Sequence, residues 1–191
     1  ADPAVELTIT KRVPVAGGMG GGSADAAAAL LACNLLWGSG LDAAELRTLA
    51  AGLGADVPFA LEGGAAVGLG VGDLLTEAPA GTPLHWVLVA SSGAGLSTPA
   101  VYSRLDALRS EAESGGADPA PEPYAADPRV LEALRTGNAA ALADVISNDL
   151  QPAALSLAPE LVPVLDRGRA LGALTGIVSG SGPTLAFLAA D

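Results

Sequence analysis

The sequence predicts an α+β protein built in two parts, and three observations carry that expectation. A β-like segment, a glycine-rich loop and an alanine-rich helix follow one another over residues 5–37. The breaker cluster Ala78-Pro79-Ala80-Gly81-Thr82-Pro83 then divides the 191 residues into 1–80 and 81–191. The second half reads as a strand, a helix, a loop, three helices and two strands, a layered arrangement of both element types.

Each element has a local reason. Val5-Glu6-Leu7-Thr8-Ile9-Thr10 alternates with the period of a strand. Five glycines then fall between Gly17 and Gly22, interrupted only by Met19. Ser23 stands where an N-cap would open a helix running to Trp37. Asp42 and Glu45 have capping-box spacing and start a second helix, which ends near Leu53 at Gly54. Gly54 to Phe59 is a compact loop or a new helical turn. Ala65–Leu69 and Asp73–Thr76 read as short strands joined through Gly70-Val71-Gly72.

Beyond the breaker cluster, His85 to Ala90 is a strand, and Ser97 caps a helix through Tyr102, Leu105 and Leu108. Glu111 to Ala126, rich in Pro, Gly, Asp and Glu, is expected to be a mobile loop. Helices are expected at Pro128–Thr136, Ala139–Leu150 and Pro159–Leu171. A strand at Thr175–Val178, the turn Ser179-Gly180-Ser181-Gly182 and a strand at Pro183–Ala189 complete the chain.

Composition narrows the function. Hydrophobic residues make up 50% but aromatics only 3%, so Ala, Leu and Val must do the packing. A formal charge of -12 argues against a nucleic-acid surface, which needs clustered cations. With 9 basic residues, a bound polyphosphate must rest largely on backbone amides, metal ions and very few side chains. Cys33 is alone, which rules out an internal disulfide, suits a reducing cytoplasm and marks it as a small core residue. His85, also alone, has no metal-ligand spacing around it and reads as a satisfied structural histidine. No signal peptide or membrane span is evident. The sequence has no initiator Met and enters a strand almost at once, which reads as a chain whose preceding segment is missing.

Chemistry concentrates in the glycine stretch Pro14-Val15-Ala16-Gly17-Gly18-Met19-Gly20-Gly21-Gly22-Ser23-Ala24-Asp25. Glycine admits positive φ and close backbone approach, and successive amides next to a helix N-terminus form an anion cradle. The bland alternative is a structural turn. Neither the usual P-loop nor Gly-x-Gly-x-x-Gly fits, because no Gly-Lys-Ser/Thr follows and Ser23 replaces the third glycine.

Ser23 reads both as a cap and as a hydroxyl near Mg²⁺. Asp25, placed in the first helical turn, favours the helix dipole or helps to hold a metal. Lys11 offers one cation to phosphate or is a solvated strand-end lysine. Asp56 stands among Gly, Ala, Val, Pro and Phe, either to cap a turn at Val57 or to deprotonate a hydroxyl attacking a γ-phosphoryl group. The turn from Ser179 to Gly182 is a plain hairpin or a second glycine loop over the same ligand.

Together these pieces resemble the GHMP kinase superfamily. The resemblance rests on Pro14 to Ala28, Asn34-Leu35-Leu36-Trp37, Leu53 to Phe59, Gly70-Val71-Gly72-Asp73, Ser97-Thr98-Pro99, Asn148-Asp149-Leu150 and Ser179-Gly180-Ser181-Gly182. It implies a two-domain fold, a ribosomal-protein-like N-terminal domain (incomplete here) followed by a ferredoxin-like C-terminal domain, with ATP and substrate in the cleft. It further implies a small-molecule kinase using ATP and Mg²⁺, of the branch that phosphorylates the 2-hydroxyl of 4-diphosphocytidyl-2-C-methyl-D-erythritol in isoprenoid precursor synthesis. ATP would lie along Pro14 to Ala24 with help from Lys11, and Ser23 would face Mg²⁺. Asp56 would be the catalytic base, and Thr98, Gly180, Ser181 and Gly182 would meet the substrate.

Two departures stand out. The family's catalytic lysine and cytidine contacts belong to a segment this sequence lacks, and Ala24 replaces a serine found in many members. Alternative readings are another GHMP kinase, for homoserine or mevalonate, and a non-catalytic nucleotide-binding relative.

Overall fold

The computed structural model describes residues 4–70, 72, 74–90, 95–114 and 126–190. It divides into two compact units, one of residues 1–13 and 20–78, the other of 14–19 and 79–191.

In the first unit, helices α1 (Gly21–Trp37), α2 (Ala43–Leu53) and α3 (Val57–Glu62) precede a two-stranded antiparallel ribbon of β1 (Ala66–Leu69) and β2 (Leu74–Glu77). Its core is small, with buried Ala27, Ala50 and Val57 backed by Ala26, Leu30, Ala60 and Leu61. Alanines on α1 let α2 and α3 approach closely, as the aromatic-poor composition requires. The expected capping box is present. Asp42 accepts from the Ala44 and Glu45 amides while Glu45 accepts from the Asp42 amide.

Several expectations fail here. Val5–Thr10 forms no strand, because a strand exists through its ladder and this segment has no partner strand among the described residues. Its alternating Val5, Leu7 and Ile9 stay exposed. Cys33 is only partly buried, outside the core cluster of its unit. Asp73 and Val71, placed in a strand and its connection, lie outside the described residues.

The second unit is organised around β5 (Leu185–Ala189), the centre of a fully antiparallel sheet of order β3-β5-β4, with β3 at His85–Val89 and β4 at Thr175–Val178. Alternation along β5 sends Leu185 and Phe187 to one face and Leu188 to the other. Leu185 and Phe187 join a core made with α4 (Thr98–Ser114), α7 (Gln151–Leu157) and α8 (Val162–Ala170). Leu188 joins a second cluster made with α5 (Pro128–Thr136) and α6 (Ala139–Val145). Covering on both faces explains why Leu185 to Leu188 is a continuous apolar run.

Differences in this unit have local causes. The helix expected over Ala139–Leu150 stops at Val145, and the unexpected α7 begins at Gln151, because Asn148 is committed to hydrogen bonds elsewhere. Glu111 to Ser114 continue α4 rather than starting a loop, with Glu111 bonded to Arg104; residues 115–125 lie outside the described set. His85 is exposed at the start of β3 and has no side-chain partner among the described residues, so it is not a satisfied core histidine. Arg129 beside Asp127, the N-cap of α5, holds that carboxyl below the usual carboxylate range.

Phe187 provides the clearest packing test. A Cβ on Gly168 would lie 2.1 Å from its ring and one on Gly176 2.6 Å away. Gly168→Ala is therefore expected to overpack the core and lower stability by about 1–3 kcal/mol in a denaturant titration. Asp42→Ala should cost about 1 kcal/mol through its lost cap. An unchanged midpoint in either variant would contradict the packing or the cap described.

Candidate functional site

The glycine stretch is shared between the units, since Pro14–Met19 pack within the second and Gly20 onward belong to the first. In the second unit, Ser179 Oγ donates to the Gly18 carbonyl at 2.8 Å, and the Thr184 amide donates to the Gly17 carbonyl at 3.3 Å. Gly18 has φ +72, and a Cβ there would lie 2.3 Å from the Ser179 carbonyl and 2.8 Å from the Gly182 amide. Only glycine fits. Pro14, Val15 and Ala16 are exposed, whereas Gly17 is buried and Met19 partly so.

The β4–β5 turn is thus the seat of Gly17 and Gly18. It is itself pinned. Asn148 Nδ2 donates to the carbonyls of Val178 and Gly180 at 2.8 Å each, and Asn148 Oδ1 accepts from the Leu150 amide. Gln151 Oε1 accepts from the Val178 amide. Two residues expected to meet substrate are brought together here, with Thr98 Oγ1 and Ser181 Oγ 2.9 Å apart. Gly180 and Gly182, at φ +54 and +75, complete the turn. Beside it, Thr184 Oγ1 is buried with no hydrogen-bond partner among the described residues.

In the first unit, α1 begins earlier than expected. Gly20, not Ser23, is its N-cap, at φ 61, and no side chain caps the helix. A glycine reaches this left-handed geometry without the penalty a Cβ brings, so the helix absorbs Gly21 and Gly22. Ser23 becomes the third helical residue, and its hydroxyl is not used in capping. The amides of Gly21, Gly22 and Ser23 have no acceptor among the described residues, while the Ala24 amide donates to the Gly20 carbonyl. Three free N–H groups at the positive end of a 17-residue helix suit an anion.

Asp25 lies beyond the first turn, where the helix dipole was expected to hold it. It accepts instead from Lys11 Nζ at 2.5 Å. That contact draws the ammonium toward Gly21, where an added Cβ would lie 3.5 Å from Nζ. Lys11 is therefore beside the free amides but already paired.

Asp56 occupies the N-cap position of α3, yet its side chain makes no cap bond and has no partner among the described residues. It is exposed, while the next residue, Val57, is buried in the same small core as Ala27 of α1. Packing of Val57 thus anchors the backbone that carries this carboxylate. The capping alternative for Asp56 is removed.

No group of three or more His, Cys, Asp or Glu side chains that could hold a metal occurs among the described residues. The donor set here, one free hydroxyl at Ser23 and no carboxylate cage, fits Mg²⁺ bound mainly through phosphate and water oxygens. None of the described helices is long and apolar enough to cross a membrane.

Comparison with known proteins gives the family of the chain. Residues 1–64 match the GHMP kinases N terminal domain and residues 130–191 match GHMP kinases C terminal. The chain belongs to the GHMP kinase family. Over 98% of its length it is 62% identical to 4-diphosphocytidyl-2-C-methyl-D-erythritol kinase of Pseudarthrobacter chlorophenolicus and 59% identical to that of Leifsonia xyli subsp. xyli. It spans 57% and 60% of those two relatives. A crystal structure of 4-(cytidine 5'-diphospho)-2C-methyl-D-erythritol kinase superposes with TM-score 0.68 at 35% identity, over 95% of this chain and 60% of that one. Homoserine kinase from Cytophaga hutchinsonii shares the fold, with TM-score 0.65 at 19% identity over 95% and 59% of the two chains.

In the sequence Asn148 belongs to a motif without an evident task, and Gln151 carries no mark of its role. The available signal was a helix-breaking Asn-Asp pair just before Gln-Pro. The seat makes a graded prediction. Gly20→Ala, with nothing within 4 Å of the new Cβ, should lose only the cost of left-handed backbone, about 1–2 kcal/mol. Gly18→Ala carries that cost plus a backbone collision, and should lose at least about 3 kcal/mol in thermal or urea unfolding. Equal losses would contradict the seat.

Proposed function

We propose that this chain belongs to an enzyme that transfers the γ-phosphoryl group of ATP to the 2-hydroxyl of 4-diphosphocytidyl-2-C-methyl-D-erythritol. The observation that carries the proposal is the 54–62% identity to kinases of that name, maintained across nearly the whole chain. The reading also divides the chain, with residues 1–80 in the ATP-binding and catalytic domain and 81–191 in the C-terminal domain.

In this reading the triphosphate lies along Pro14 to Ala24. The unsatisfied amides of Gly21, Gly22 and Ser23 supply N–H donors, and Lys11 adds one cation from its place beside Gly21. Such backbone binding suits a chain of charge -12, which has few side-chain cations to offer. Mg²⁺, when bound, neutralises charge on the phosphates, and Ser23 is the hydroxyl placed to reach it.

Asp56 is the base. Its carboxylate is exposed and has no partner among the described residues, so it is free to accept the proton of the 2-hydroxyl as that oxygen bonds to the γ-phosphorus. The bond from phosphorus to the β,γ-bridging oxygen breaks, ADP leaves, and the proton remains on Asp56 until it passes to solvent. Thr98, Gly180, Ser181 and Gly182 contact the substrate, the two hydroxyls orienting each other before it binds. Both reactants are water-soluble, and the enzyme works in the cytoplasm.

The test is ATP-dependent phosphorylation of this substrate by the full-length gene product, with Asp56→Asn beside it. The variant should lose at least about 10²-fold in kcat with ATP affinity nearly unchanged. Retained turnover in the variant would remove Asp56 as the base. Turnover of homoserine in place of the cytidine substrate would overturn the substrate assignment.

A further inference from the structure

One side chain that lies in neither glycine motif grips the second of them, which in turn holds the first. Asn148 follows α6 and precedes α7, in the break where a continuous helix was expected. Both hydrogens of its amide are used, one on the Val178 carbonyl at the end of β4 and one on the Gly180 carbonyl in the turn. Its oxygen holds the Leu150 amide, so the residue is fixed from behind by α7. The turn it grips carries Ser179, whose hydroxyl holds Gly18. A line of hydrogen bonds thus runs from α7 through Asn148 and the turn to the glycine loop, all within the second unit.

We propose that Asn148 is a positioning residue for the glycine loop, setting the backbone of Gly17 and Gly18 through the β4–β5 turn and thereby the affinity for nucleotide phosphate. The affinity part rests on the kinase reading above; the coupling of Asn148 to the loop does not. Asparagine is the side chain this place demands. It must give two N–H bonds to two carbonyls while accepting one, and an aspartate of the same shape can only accept. A carboxylate set against the carbonyls of Val178 and Gly180 would repel both and release the turn.

Asn148→Asp therefore removes the two donors while keeping the shape and the bond from Leu150. Asn138→Asp is the control, because Asn138 only accepts, from the Ala141 amide, and aspartate caps a helix equally well. Two readouts separate the parts. The first is hydrogen exchange at the amides of Gly182 and Thr184, which donate to the Ser179 and Gly17 carbonyls. In Asn148→Asp both should exchange at least about tenfold faster, with Asn138→Asp unchanged. Unchanged exchange in a folded Asn148→Asp would overturn the coupling.

The second readout is the Kd for MgATP of the full-length protein, measured with KM and kcat. Asn148→Asp should raise Kd and KM for ATP about tenfold and change kcat much less. Faster exchange with an unaltered Kd would overturn the link to phosphate and leave Asn148 as a purely structural residue. If the wild-type protein binds no nucleotide, the kinase reading fails by itself, and the exchange measurement still decides whether Asn148 holds the loop.

Discussion

A single hydroxyl, Ser179 Oγ bonded to the carbonyl of Gly18, ties the first glycine motif of this chain to the second. The tie works only because Gly18 has no Cβ, since any side chain there would run into the backbone of the turn. Much of the second unit follows from that contact. β4 and β5 must pair in the register that presents the turn, and Asn148 and Gln151 must interrupt the helical run to reach it. The burial of β5 between two helical layers then fixes the turn to the most enclosed strand of the sheet. The loop inherits the rigidity of the core it rests on.

A different logic operates at α1. The helix N-terminus has no side-chain cap, although Ser23 is close enough in sequence to have served. Bare amides carry a modest cost in an isolated protein and are a ready donor set for an anion. The strongly acidic chain makes this useful, because backbone donors attract phosphate without requiring clusters of Lys or Arg. Asp56 is likewise left unengaged. Its neighbour Val57 does the packing, so the carboxylate is held in place by hydrophobic contact and not by a bond that would have to break before chemistry.

The capping box at Asp42 and Glu45, the α5 boundaries between Asp127 and Gly137, and the β4 strand were legible in the sequence because each depends on local chemistry. Where the readings failed, the deciding interaction was distant. Val5 to Thr10 has strand periodicity but no partner strand among the described residues. The helix after Ala139 ends because Asn148 is drawn to a turn thirty residues later, a demand invisible to propensity. Ser23 was misplaced because Ser normally outranks Gly as a cap, whereas here the left-handed Gly20 starts the helix. The glycine motifs were visible as motifs, yet nothing local to either reveals that one is the seat of the other.

The most direct measurement is a titration of MgATP into the full-length protein labelled with ¹⁵N, followed through the amide resonances of the glycine stretch. The account predicts saturable shifts centred on Gly21, Gly22 and Ser23, whose amides have no acceptor among the described residues. Shifts confined to other parts of the chain, with these three unmoved at saturation, would contradict it.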